Sequence, residues 1–551
     1  MGREVNILSI EALEKQIEEG KGDVMRLKRT RNSLLNISAR VPPEILGYIF
    51  AWSLVREAGR SLYPQSCFDG LQMGSYNFLL VCHHWFEVAS RTPELWSFWG
   101  NTLQDWKKRY HRSGVTPLDL VLDRDECDPE VFDGSLQDAV RNRVMQDAIR
   151  QVHLTCDDCA TLTCIVSSLT PDDEGARNEN IESIIWQNRS PLHVDISKFF
   201  ARSRLSKLRR LDLSGNIQIS SWDRLGSRTT LLTVLSLQIG GYPPPPSPTT
   251  SQLLSILASN PNLQILILDL DFPDDIDGST FRVPLRDLKL LSLGGVSRHL
   301  FGLLPRLILP EALDSMHLSG FGSTAEGISQ TLGPYMRDYF QRDARFQDRL
   351  GISSSSSSNS ISISVEVVSA HPTVPVAKPP RVTLRVYLIS VPPTSVLEQL
   401  FIDLIASIRQ EHIVLFYADL HINLPEELLF TMPNIETLHL VDGWLSEGFL
   451  QPNPDGPRAN TKLLPSLRSL RLEGVTLGSG GWGHLTRYLA HQTSDGQIIS
   501  LEVCGDHPYI RSEVVNEMKD LVEEFTYDQR LEMEDRGSLC NCGCSSHDED
   551  E

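Results

Sequence analysis

Three groups of side chains in this chain could do chemistry on residue type and spacing. His83 and His84 are adjacent, and neighbours on a helix project about 100° apart. They cannot easily share a metal, and structural or solvent-exposed histidines are the reading. "HLTCDDCATLTC" offers His153, Cys156, Cys159 and Cys164. One C-x-x-C pair can open a zinc site, but a closed structural site takes a second matching pair. The alternation in "QVHLTC" reads instead as a strand entering a repeat array. Cys540, Cys542 and Cys544 in "CNCGC" could hold a soft metal as thiolates. They lack a clear fourth ligand, so a disordered, oxidisable tail is expected. No metal and no cofactor is expected. "WKKRYHR" at 106–112 has the basic, aromatic mix that touches phosphate, yet in a chain of net charge −20 it reads as a solvated helix face. There is no P-loop, G-x-S-x-G elbow, Rossmann glycine pattern or H-E-x-x-H. A non-enzymatic role is expected.

Composition narrows the partners. The 51 basic against 71 acidic side chains argue against broad binding to nucleic acid or an anionic membrane. Ten unevenly spaced cysteines make no disulfide framework. The opening "MGREVNILSIEALEKQIEEG" is charged throughout, unlike a signal peptide, and Asn6 stands where a myristoylation signal has Ser or Thr. No apolar run approaches the roughly 20 residues that span a bilayer. A reducing compartment, cytoplasmic and/or nuclear, is the expectation.

The elements that must position any site begin with an amphipathic helix over 1–36. Ile10, Leu13, Ile17, Val24, Leu27 and Leu34 follow a three-four spacing, which predicts a helix packed on the next domain. Residues 37–100 form the first compact unit. In "VPPEILGYIF", Pro42 and Pro43 suit a helix start, and Glu44 suits the positive end of its dipole. Ile45, Leu46, Ile49 and Phe50 recur at helical spacing. A loop at 56–76 precedes a second helix through "FLLVCHHWFEVAS", and "RTPELW" starts a short third segment.

Residues 101–200 read as a connecting and capping region, and 201–530 as a repeat array. The template L-x-x-L-x-L appears at 208–213, 263–268, 288–293 and 467–472, with looser copies at 232–237, 313–318, 435–440 and 498–503. Successive copies from 208 to 313 lie 24, 31, 25 and 25 residues apart, and those from 435 to 498 lie 32 and 31 apart. Leucine-rich repeats run about 20–29 residues, so this is an irregular array of short parallel strands with helical or irregular returns. In "LRRLDLSGN", Asn216 is expected to cap the turn after the strand. The serine tract at 351–364 and the proline-rich run after it read as a flexible insertion near 350–380. "RVTLRVYLI" is strand-like and "TSVLEQLFIDLIASIRQ" helical, so the array resumes beyond it. "GYPPPPSP" reads as a stiff loop filler, and the acidic tail 531–551 as disordered.

"VPPEILGYIF" followed across a loop by "LLVCHHWFEVASRTPELW" resembles the F-box, which opens on an L-P-x-E-I-L-x-x-I-F helix, continues with L-x-x-V-C-x-x-W and closes near a Leu-Trp pair. The match covers about 60 residues. With the leading helix and the C-terminal leucine-rich repeats, the layout is similar to the large F-box family of mushroom-forming fungi. Val41 replaces the usual leucine before the first proline, and the loop is longer than in the compact version. The resemblance implies an α+β repeat protein: a three-helix F-box, then an irregular leucine-rich-repeat solenoid. It implies the substrate-recognition subunit of a Skp-cullin-F-box ubiquitin ligase. Pro42, Pro43, Glu44, Ile45, Leu46, Phe50, Leu80, Val81, Cys82, Trp85, Leu95 and Trp96 would dock on the Skp-type adaptor and, through it, a cullin. The repeats would hold a protein substrate of unknown identity. Strand residues between the leucines would face it: Arg210, Asp212, Ile265, Ile267, Asp269, His317, His439, Arg471, Glu473 and Glu502. The rival reading is a leucine-rich scaffold outside ubiquitination, favoured if Ile45, Leu46, Phe50 and Trp85 are buried against the repeats.

Overall fold

The computed structural model describes residues 15, 18–28, 41–58, 81–99, 106–123, 147–171, 178–240, 247–270, 281–296, 302–310, 313–321, 334–340, 346–357, 360–370, 381–388, parts of 399–410, 411–419, 429–442, 444–445, 464–477, 481–493, 498–504, 510 and 512–527. Leu80, most of the 56–76 loop, the four consecutive prolines 243–246, the proline-rich run at 371–380 and the tail lie outside the described residues. The protein is mixed α/β with predominantly parallel strands, in two units, Met1–Gln218 and Ile219–Glu551.

In the first unit, α1 (Pro43–Ala58) starts where the prolines place it, with Glu44 in its first turn. The Leu46 amide closes that turn on the Pro42 carbonyl at 3.0 Å. After α2 (His83–Ser90) comes a single 3-10 turn at Pro93–Leu95. The chain then runs into β1 (Phe98–Trp99), which pairs in parallel with β2 (Leu118–Asp123). The Asp119 amide donates to the Ser97 carbonyl at 2.9 Å, so the helical module is tied to the sheet by backbone. β3 (Ile149–Cys156), β4 (Ser183–Asn188) and β5 (Arg210–Gly215) extend the sheet in parallel. Between β1 and β2 lies α3 (Trp106–Ser113), and between β3 and β4 lies α4 (Cys159–Leu169). Asp158 caps α4 by accepting from the amides of Ala160 and Thr161.

Residues 101–200 are therefore part of the strand array rather than a separate cap. Their strands obey the repeat template with other apolar residues in the leucine places. Val115-Leu118-Leu120, Ile149-Val152-Leu154 and Ile181-Ile184-Trp186 keep the spacing. Of these, all but the exposed Val115 are buried.

The second unit carries β6 (Val234–Ile239), β7 (Ile265–Leu270), β8 (Leu290–Val296) and β9 (Ser315–Phe321), with β6–β7–β8–β9 paired in parallel. The leucines align strand to strand in this register. Leu235, Leu266, Leu291 and Met316 stack in one row, and Leu237, Leu268, Leu293 and Leu318 in the next. All are buried. Towards the other end, β13 (Leu415–Asp419), β14 (Thr437–Val441), β15 (Ser469–Glu473), β16 (Ser500–Cys504) and β17 (Glu524–Tyr527) repeat the pattern. There Phe416, Leu438, Leu470, Leu501 and Phe525 form one row. All eight copies of the template contain a strand.

The serine tract is the main correction in this unit. It is not a flexible insertion: β10 (Phe346–Ser357) and β11 (Ser360–Ala370) pair antiparallel, with Ser357 opposite Ser360. β12 (Arg381–Leu388) is antiparallel to β11 and parallel to β9, while β10 is parallel to β13. This antiparallel meander joins the two parallel stretches. "SISISVEVV" alternates with period two, the strand period. That alternation outweighs the low-complexity composition because both edges of the meander find partners in register.

Asn216 does act at the turn, though by bridging two turns. Its Nδ2 donates to the Ser190 carbonyl at 2.6 Å, and Asn188 Nδ2 donates to the Asn216 carbonyl at 2.6 Å. Gly215 precedes it at φ +84°, with the Asn188 carbonyl where a Cβ would stand, so only glycine fits. The expected packing of the N-terminal helix is not found in its described part. Residues 18–28 are helical, but all are exposed, Val24 and Leu27 included.

Candidate functional site

The helical module sorts its apolar residues into two sets. Leu46, Phe50, Val88, Ala89, Leu95 and Trp96 form a core of their own, with Val41 and Trp85 packed against it. Phe50 and Trp85 meet at 5.0 Å between ring centroids. Trp96 Nε1 donates to the Ala89 carbonyl at 2.8 Å, which satisfies its one polar atom inside the core. Gly47 lets α1 approach the 3-10 turn, because a Cβ there would sit 2.6 Å from Thr92 Oγ1. The second set faces outward: Ile45 is 53% exposed, Tyr48 71%, Ile49 49%, Val81 56% and Phe86 44%.

Of the expected adaptor-docking residues, Pro42, Pro43, Glu44, Ile45 and Val81 are exposed, while Cys82 and Trp85 are half-buried. Leu46, Phe50, Leu95 and Trp96 are buried in the module's core and support the surface rather than form it. Tyr48, Ile49 and Phe86 were missed. Ile45, Tyr48 and Ile49 are three and four residues apart, so they share the helix face turned away from Leu46 and Phe50. That split was available from the sequence once Leu46 and Phe50 are taken as the inward i, i+4 pair.

The expected strand-face residues separate into groups. In the first unit, Arg210 Nη2 donates to Asp212 Oδ2 at 3.2 Å, and Asp212 is buried, against the expectation that it faces a partner. Beside it burial, aided by the Arg210 cation, pushes the His153 imidazole down to about 3. Arg150 and Asp119 form a two-pronged pair at 2.7 and 3.1 Å. Burial nonetheless lifts the Asp119 carboxyl above its ordinary value, more than Arg150 lowers it.

In the second unit, Asp269 is exposed at the end of β7 and His317 bonds Ser315 at 2.8 Å. Ile265 and Ile267 are half-buried beside them. His439, Arg471, Glu473 and Glu502 do come together, roughly 25 Å from His317 across five strand steps of about 4.8 Å. Tyr417, His439, Arg471 and Glu502 stand in register on β13 to β16, and Asp419, Val441, Glu473 and Cys504 form the next row. Arg471 reaches Glu473 at 3.3 Å and Glu502 at 3.3 Å. His439 Nε2 lies 3.2 Å from Glu473 Oε2, and the Tyr417 and His439 rings meet edge-on at 5.0 Å. Burial first, then the charges of Asp419, Glu473 and Asp442, push the Tyr417 hydroxyl up. The Cys504 thiol is pushed up to about 11 by burial and by the Glu502 carboxylate that accepts its hydrogen. Tyr417 and Asp419 were missed because "IVLFYAD" carries Phe and Ala in the leucine places; Cys504 was missed because it lies one residue beyond the template copy at 498–503.

The other reactive groups disperse. His83 Nδ1 lies 3.6 Å from Glu87, while the Cys156 and Cys159 thiols point at the carbonyls of Asp158 and His193. Among the described residues no three His, Cys, Asp or Glu side chains converge as metal ligands, and no helix is long and apolar enough to cross a membrane. Arg112 of the basic run stacks over the Trp96 ring at 4.4 Å. No protein-family model matches the chain, and no curated protein matches it in sequence.

Proposed function

We propose that the helical module is an F-box that docks on a Skp-type adaptor, and that the strands are a leucine-rich-repeat solenoid holding a protein substrate for a cullin-based ubiquitin ligase. The observation that carries this reading is the division of apolar residues in the module. A self-sufficient core of Leu46, Phe50, Val88, Ala89, Leu95 and Trp96 leaves Ile45, Tyr48, Ile49, Val81 and Phe86 in water. Large apolar side chains clustered on so small a module are the mark of a surface that a partner covers. Among the described residues, the core contains none from the strand array, which weighs against the scaffold alternative. The chain itself forms no bond in this role; it acts by holding substrate near the ubiquitin-charged enzyme.

Co-purification of the full chain with a Skp-type adaptor tests it, beside an Ile45→Asp, Ile49→Asp double variant. Both changes are at exposed positions, so folding is retained. A stoichiometric complex that the variant loses is the expected result. A folded chain that forms no complex, or a variant that binds as well as the parent, refutes the docking face.

A further inference from the structure

The outward rows of β13 to β16 carry an excess of one charge. Among the described residues of these strands, Asp419, Asp442, Glu473 and Glu502 stand on or beside this face together with the Arg471 guanidinium. Arg349, in register with Leu415, and Glu524, in register with Ser500, add one charge of each sign at the start of the strands. Among these residues, carboxylates outnumber guanidinium groups by three. Arg471 is shared between Glu473 and Glu502, and the Tyr417 hydroxyl feels Asp419, Glu473 and Asp442 together. The face is open to solvent: the Arg471, Glu473 and Glu502 side chains are 40%, 42% and 35% exposed. A half-exposed phenol ring beside several carboxylates is suited to a cation, which gains from the ring face and the carboxylates at once.

We propose that this strand face docks a lysine- or arginine-bearing segment of a partner protein, seated beside Tyr417 and between Asp419 and Glu473. The inference rests on the reading of the array as the substrate holder and names the chemistry of what it holds. An acidic or phosphorylated segment meets charge of its own sign and is repelled. An extended basic segment crossing β13 to β16 places alternate side chains against successive strands.

The test uses the full chain and a fluorescent peptide of alternating lysine and serine, with a glutamate-serine peptide as counterpart, read by anisotropy at about 150 mM salt, where long-range attraction to the acidic chain is screened. Asp419→Asn with Glu473→Gln is expected to weaken the basic peptide about tenfold. Asp442→Asn, at an exposed position, is a milder second variant with about a threefold loss. A charge-matched control, Glu18→Gln with Glu19→Gln on the exposed N-terminal helix, is expected to change affinity less than twofold. Equal losses in face and control variants, equal binding of the acidic peptide, or no binding of the basic one each overturn the proposal. Adaptor co-purification does not involve this face, so failure here and failure of the docking module are separate results.

Discussion

His153 gives the sharpest test of the polar layer in the first unit. Its imidazole lies on β3 beside Arg210 and is held at about 3 by burial and that cation, whereas an unfolded histidine titrates near 6.5. At pH 7 it is largely neutral in both states and has little effect on stability. As pH falls from 6.5 towards 3, the unfolded chain takes up a proton that the folded chain refuses. Stability therefore drops by about 1.4 kcal/mol per pH unit in that window, and by about 2 kcal/mol between pH 7 and 5. Asp119 works in the opposite direction: its raised carboxyl pKa makes the folded state bind a proton earlier as pH falls, which adds stability in acid. Comparing the parent with His153→Gln at each pH cancels that contribution. The assay is amide hydrogen exchange in β3 and β4, which reads local opening without assuming all-or-none unfolding of a repeat protein. Relative to the variant, β3 and β4 of the parent are expected to open about 30-fold more readily at pH 5 than at pH 7. A parent-to-variant ratio that stays constant with pH refutes the account of a buried, neutral histidine.

Two further perturbations follow from the geometry. Phe50→Ala removes a ring from the module's core and is expected to cost about 3–5 kcal/mol, whereas Tyr48→Ala on the outward face of the same helix stays within about 0.5 kcal/mol; limited proteolysis of residues 41–97 separates them. The Cys504 thiol, pushed up to about 11, is protonated at pH 8 and is expected to alkylate much more slowly than a free cysteine. Glu502→Gln removes the carboxylate and should speed that labelling, measured by mass spectrometry.

Much of the architecture was written in local pattern. Apolar residues at the first, fourth and sixth places mark a strand that buries one face, and each of the eight copies read from the sequence, strict or loose, contains one. A rule that asked for leucine in most of the places was too narrow, however. Ile149-Val152-Leu154, Ile413-Phe416-Ala418 and Val522-Phe525-Tyr527 keep the same spacing, because the packed interior asks for apolar volume at those places rather than for leucine itself. The start of α1 was equally legible, since proline and glutamate act within a single turn.

What the sequence could not decide were the properties that depend on neighbours far along the chain. Composition marks the serine tract as a linker, yet its backbone pairs with β12 and β13, whose residues follow it in sequence. Which of the two apolar faces of α1 turns inward depends on α2 and the Pro93–Leu95 turn, beyond a long loop, and so the docking residues were assigned to both faces. Sequence spacing put Asp212 and Arg471 in equivalent strand positions, but tertiary packing buries one and leaves the other half-exposed. Strand alternation fixes the side of the sheet a residue occupies; only the packed structure decides whether water or a partner can reach it.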